Sequence, residues 1–175
     1  EAFERPIEGS PRLEAMAAPE GVEKPAKTFE TEKERWTAVY EKAGKTLKKH
    51  QGTAAAQSAR LARAAAALRL GKYDDAIKLY TAYLDSDHPK HNLPIVHFGL
   101  AVAQSSKGKY DAAVTSLDEM VEADDSYEAF ALYHKGLFME AAGKTEKAKD
   151  FYNKVLETDP KSPYKSDIER RLALM

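Results

Sequence analysis

Three histidines and two aspartates crowd one short stretch of this chain: Asp85, Asp87, His88, His91 and His97. Imidazole and carboxylate are zinc ligands, so metal chemistry is the first to be weighed here. The spacing matches no metal motif. Pro89 and Pro94 make the stretch a loop, and a flexible loop does not hold ligands in place before the ion arrives. No metal and no cofactor is expected. There is no cysteine, which removes disulfides, thiolate metal sites and a cysteine nucleophile but locates the protein in no compartment. No Gly-rich phosphate loop or nucleophile elbow occurs. The scattered Asp and Glu residues offer no pair placed for acid–base work. The chain reads as a protein without catalysis.

The more informative spacing belongs to residues with no reactive group. Gly71-Lys72-Tyr73, Gly108-Lys109-Tyr110 and Gly143-Lys144-Thr145 follow one another at intervals of 37 and 35 residues. Three residues after the Tyr or Thr stands an alanine (Ala76, Ala113, Ala148), and four further a large residue (Tyr80, Leu117, Tyr152). A fixed period of this size means stacked copies of one unit. Such units build extended surfaces for binding other chains and rarely catalyse.

Composition sets the outer bounds. Of 175 residues, 43% are hydrophobic and 9% aromatic, so a core can form. The formal net charge of −1 predicts no nucleic-acid partner. No run of 18 apolar residues could span a membrane. The sequence opens on Glu1 rather than Met, so a signal peptide or membrane anchor ahead of it is compatible with the chain.

Residues 1–28 hold Pro6, Pro11, Pro19 and Pro25, four of the eight prolines, among small and charged residues. They read as an arm or linker, with one short helix over 11–18. From about 28 to 50, Trp36, Val39, Tyr40, Ala43 and Leu47 recur at helical spacing. Gly52 stops that helix and Thr53 caps an alanine-rich one running to about 70. Helices are expected next over 73–84, 94–107, 110–123, 126–142, 145–158 and 163–174. Nothing alternates with a period of two, so no sheet is expected.

These residues resemble the tetratricopeptide repeat (TPR) family, a helix-turn-helix unit of 34 residues with small residues at positions 8 and 20, Gly near 15, Tyr near 17, an aromatic near 24 and Pro at 32. A unit starting at Ala129 fits with Gly136, Gly143, Ala148, Tyr152, Leu156 and Pro160, but has Thr145 in place of the Tyr. One starting at Pro94 carries Ala101, Gly108, Tyr110, Ala113 and Leu117, with Asp125 in place of the proline. One starting at Gln57 carries Ala64, Gly71, Tyr73, Ala76, Tyr80 and Leu84. The resemblance implies an all-α, right-handed superhelical stack over 29–175. Its parts would be a degenerate repeat helix at 30–50, repeats at about 57–90, 94–126 and 129–161, and a capping helix at 163–174. The cap would turn Ser166, Asp167, Glu169, Arg170 and Arg171 outward and Ile168 and Leu172 inward. The order of segments — proline-bearing stretch, helix at 36–47, Gly-Thr break, alanine-rich helix, Gly-Lys-Tyr turn — is also similar to the ancillary SecYEG translocon subunit family of the bacterial envelope. That similarity implies a domain in the periplasm or envelope, tethered by a segment preceding this one. A cytoplasmic location is the alternative.

In the TPR frame, positions 2, 5, 9 and 12 of each first helix line a concave groove. Here these are Ser58, Leu61, Ala65 and Leu68; Ile95, Phe98, Val102 and Ser105; and Phe130, Tyr133, Leu137 and Glu140. The apolar members (Leu61, Leu68, Ile95, Phe98, Val102, Phe130, Tyr133, Leu137) suit an amphipathic helix or extended apolar peptide of a protein partner. Packing against the N-terminal arm or a second copy would serve them equally. The chaperone-binding TPR subclass clamps a C-terminal carboxylate with Lys, Asn and Arg. The matching places here are Leu61, Ala65, Gly99, Phe130 and His134, so that partner class is not expected.

Charge is segregated. Between Lys42 and Tyr73 there are eight Lys or Arg and no acid; between Asp111 and His134 there are seven acids and no Lys or Arg. Oppositely charged ends would let copies self-associate head to tail, or let the basic end dock on an anionic surface. A plain solvated surface accounts for the same pattern.

Overall fold

The computed structural model describes residues 29–175, so the expected arm over 1–28 and its short helix lie outside the described residues. Among the described residues there are eight α-helices and no strand. They are α1 (Glu32–Lys49), α2 (Ala54–Arg69), α3 (Tyr73–Leu84), α4 (Leu93–Ser106), α5 (Tyr110–Ala123), α6 (Glu128–Ala141), α7 (Thr145–Thr158) and α8 (Lys165–Leu174). Each packs on the helix before and after it, and α2 also touches α4. That is an all-α repeat stack: α2–α3, α4–α5 and α6–α7 are hairpins, α1 precedes them and α8 follows.

The Gly-Lys pairs make the hairpin turns. Gly71, Gly108 and Gly143 sit at φ of 70°, 71° and 70°, a left-handed conformation that disfavours any side chain. The lysine that follows turns its amide back onto the ending helix: Lys72 N–H donates to the Ala67 carbonyl, Lys109 to Gln104 and Lys144 to Met139. This is the Schellman stop, satisfying carbonyls that would otherwise be orphaned. The same lysine's carbonyl then accepts from Ala76, Ala113 or Ala148, starting the next helix. The 35-to-37-residue rhythm is therefore a rhythm of helix terminators. At the other end, Thr31 and Thr53 cap α1 and α2, their hydroxyls accepting from Glu34 and Ala56 amides.

Packing follows the repeat. Ala76, Ala113 and Ala148 are fully buried, and Tyr80, Leu117 and Tyr152 fill the space beside them. Two glycines make room for the tyrosines. A Cβ on Gly99 would collide with the Tyr80 ring, and one on Gly136 with the Tyr152 ring. Each repeat carries its own apolar cluster, built around Tyr80 and Tyr83, around Leu117 and Met120, and around Tyr152 and Ile168.

Some expectations need correction. The helix anticipated over 126–142 begins as a 3-10 turn at Asp125–Tyr127, held by the Asp124 carboxylate accepting from the Ser126 amide, and becomes α-helical only at Glu128. The cap begins at Lys165, not 163. In it Asp167 and Arg171 do not face outward: both are half-buried and bonded to α6.

Candidate protein-binding face

The first helices of the three hairpins each turn one row of side chains the same way. On α2, Leu61, Ala65 and Leu68 are half-buried and Ser58 is exposed; on α4, Phe98, Val102 and Ser105 are half-buried and Ile95 is 68% exposed. On α6, Phe130, Tyr133 and Leu137 are half-buried and Glu140 is exposed. Their neighbours one position round, Ala64, Ala101 and Ala131, are fully buried. Each row therefore rims the core without belonging wholly to it. Leu61 and Leu68 lean on the first cluster, Phe98, Val102 and Phe130 on the second, and Tyr133 and Leu137 on the third.

The middle of this face is aromatic. Phe98 meets the Phe130 ring edge-on at 4.8 Å and the His134 ring at 4.9 Å, and Phe130 and His134 lie 4.3 Å apart. Burial holds the His134 imidazole down at about 4, so it is neutral at neutral pH. Helix α4 carries no Lys, Arg, Asp or Glu. Lys135, next in sequence to His134, is turned away and buried, paired with Asp118 of α5.

Tyr133 is not free. Tyr164, just ahead of α8, stacks on it at 4.2 Å and 7°, and the Tyr133 hydroxyl donates to Asp167 at 2.7 Å. Arg171 reaches Asp167 at 2.6 Å and Glu140 at 2.9 Å, and the Tyr152 hydroxyl donates to the same Glu140 oxygen at 2.8 Å. Hydrogen bonds from Arg171, Tyr133 and Arg170 hold the Asp167 carboxyl well below the usual carboxylate range. The expected groove position at Tyr133 is thus already occupied by the cap. Tyr164 and Asp167 escaped the sequence reading because a proline-flanked tyrosine and an aspartate in the first turn of a helix look like surface. Pro163 ahead of Tyr164, an aromatic entering the last helix, was the available signal. Tyr127, 39% exposed and edge-on to Phe130 at 6.3 Å, was also missed.

The histidine stretch divides. His88 Nδ1 lies 2.6 Å from the Ser86 carbonyl, His91 is exposed, and His97 is buried on α4 with Nδ1 3.1 Å from Glu119 of α5. Burial pushes the His97 pKa down, against the pull of Glu119. Among the described residues no group of three metal-binding side chains converges.

The charge segregation survives folding, but not as two opposite ends. The basic segment lies on α1 and α2, at one end. The acidic segment lies on α5 and the start of α6, in the interior of the stack, and Asp111, Asp118 and Glu119 already face Lys144, Lys135 and His97.

A match to a family model agrees with this architecture. A family model described as "Tetratricopeptide repeat-like domain" matches residues 14–173. Among solved structures 16 chains match. One, the first TPR of Spaghetti (RPAP3) bound to an HSP90 peptide SRMEEVD, is 26% identical, with 81% of this chain and 95% of that chain covered and a TM-score of 0.46. No curated protein matches. Repeat folds of this kind are protein–protein interaction modules, typically without catalysis. With the model spanning nearly all of its length, the chain belongs to the tetratricopeptide repeat-like domain family.

Proposed function

We propose that the face shared by α2, α4 and α6 binds an apolar segment of a partner protein, as the adaptor or chaperone-like domain of a bacterial envelope protein. One observation carries the binding reading: Ile95 stands 68% exposed on a helix without charges, with half-buried Phe98 and Val102 on the same face and Phe130 against Phe98. A large apolar side chain held out to water, with apolar neighbours, marks a contact surface. The places that would have to hold a carboxylate clamp are Leu61, Ala65, Gly99, Phe130 and a neutral His134. The partner is therefore recognised by apolar surface and not by its terminal charge. The envelope location rests on the order of segments from the proline-bearing stretch to the Gly-Lys-Tyr turn. A module joining copies through oppositely charged ends is not favoured, since the acids sit mid-stack.

A photo-crosslinking residue at Ile95, with Lys78 of α3 as control, tests the binding face in the full-length protein in its native cells. Adducts are expected from Ile95 and not from Lys78. Phe98→Ala should weaken the Ile95 adduct by about 1 kcal/mol or more while the fold survives, because aromatic anchors carry most interface energy. Normal adducts from folded Phe98→Ala, or adducts equal from both positions, would move the binding surface elsewhere. Alkaline phosphatase fused after Met175 reports location: active fusions support the envelope, inactive ones the cytoplasm.

A further inference from the structure

Helix α1 packs on α2 through the side that carries Tyr40, Ala43 and Gly44. On its other side Lys42, Lys45 and Lys49 recur at three and four residues, which puts them within about 60° of one another on one stripe. All three are exposed, as is Lys48 beside them. None makes an ion pair, and among the described residues the same holds for every cation from Lys42 to Lys72. Elsewhere in the stack pairing is mixed: Lys107, Lys135, Lys144 and Lys149 each meet a carboxylate, whereas Lys109, Lys147, Lys154 and Lys161 do not. Among the described residues no other stretch lacks ion pairs at every cation over so many residues. Lys48 and Lys49 lie in the last turn of α1, where cations oppose the helix dipole. Lys42 and Lys45 stand earlier, beyond that effect. Arg60, Arg63, Arg69 and Lys72 cannot supply counter-charge; they bond carbonyls and hydroxyls or lie over the Tyr40 and Trp36 rings. Of the acids on α1, Glu32 and Glu34 lie in its first turn, while Glu41 stands beside Lys42 and one turn before Lys45 without forming an ion pair with either.

We propose that this lysine stripe docks the stack on an anionic phospholipid bilayer. The stripe is uniformly lysine, a compact point charge, where recognition of carboxylates in fixed geometry favours the arginine fork. It lies along one helix, with no aromatic side chain among the lysines and no groove between them. A layer of headgroups presents a diffuse negative field that needs neither, and each lysine held near it adds to binding independently. The stripe belongs to α1, which takes no part in the face of α2, α4 and α6. Bilayer contact and partner binding are therefore separable, and this inference does not depend on the partner.

Sedimentation of the full chain with vesicles of equal parts phosphatidylglycerol and phosphatidylcholine tests it, with pure phosphatidylcholine vesicles as reference. Binding is expected to the anionic vesicles only and to fall as salt rises. The triple variant Lys42→Gln/Lys45→Gln/Lys49→Gln should lose about tenfold or more in partition. Lys147→Gln/Lys154→Gln/Lys161→Gln, which changes net charge equally at the far end, should not. Circular dichroism checks that both remain helical, which their exposure favours. Failure of the parent chain to sediment with anionic vesicles would overturn the proposal and leave an acidic protein as occupant. Equal losses in the two triple variants would also overturn it, since net charge and not the stripe would then govern.

Discussion

The helices that flank the three hairpins, α1 and α8, are attached in opposite ways. At the C-terminal end, α8 lies on α6 through a stacked ring pair, Tyr133 and Tyr164, and a chain of charge-assisted bonds linking Asp167, Arg171, Glu140 and Tyr152. Every member has a partner. At the N-terminal end, α1 meets α2 and the turn after it through cations laid over the α1 rings: Arg63 and Lys72 over Tyr40, Arg69 over Trp36. The Arg63 Nε is buried there without a hydrogen bond, and two carboxylates enter the arrangement, Asp75 accepting from the Tyr40 hydroxyl and Glu32 from the Trp36 indole and Arg35. Both join a flanking helix to the three hairpins. One does so with matched charges in fixed geometry, the other with softer contacts that leave net positive charge outward.

The sharpest way to break this contrast is to add volume to each half. Ala148 is wholly buried against the Tyr152 cluster, so Ala148→Leu should overpack it and cost about 1–3 kcal/mol. Ala62, exposed on α2, should accept Leu within about 0.5 kcal/mol. Urea unfolding of the two variants reads the difference; equal losses would mean that α2 has no slack.

Removing one polar group from each end gives a smaller effect. Asp167→Asn weakens bonds to Tyr133, Arg170 and Arg171 together and should cost about 1 kcal/mol, with faster amide exchange in α8. Arg63→Met keeps apolar contact with the Tyr40 ring but loses the cation–ring contact and the bond to the Tyr40 hydroxyl, offset by removing a buried Nε without a partner, so it should cost less than about 1 kcal/mol. A costly Arg63→Met and a silent Asp167→Asn would reverse the comparison.

The smallest effect is one of pH. Burial depresses the His134 pKa from an unfolded value near 6.5 to about 4. Between these values the unfolded chain binds the extra proton, so this group's contribution to stability falls as pH drops from 6.5 toward 4. His134→Phe should flatten that part of the stability profile relative to the parent. Identical slopes would place His134 in water, outside the ring cluster with Phe98 and Phe130.

Much of this fold was legible because its punctuation is local. The bounds of α3, α5 and α7 follow from Gly-Lys turns, whose geometry depends on a few consecutive residues. The row from Leu61 to Leu137 could be placed by counting from the same turns. What could not be counted was decided across the stack. Asp111 finds Lys144 at 2.7 Å, 33 residues away, so a run of acids that looked like a free patch is partly neutralised. Tyr133 looked like a groove residue until Tyr164 covered it, and Asp167 looked solvent-facing until that hydroxyl reached it. Periodicity gives the face of a helix; it does not give what lands on that face.

The three Schellman turns also fix where the chain can change length. Residues 70–72, 107–109 and 142–144 are clamped by paired backbone bonds and a left-handed glycine. The returns from one hairpin to the next, over 85–92, 124–127 and 159–164, are of unequal length and differ in their bonding. The differences in connection length within these three hairpins are thereby confined to one rim. That rim can be lengthened, cut or spliced to a foreign domain while the opposite rim keeps its pitch, so the molecule has one edge built as a ruler and one free to vary.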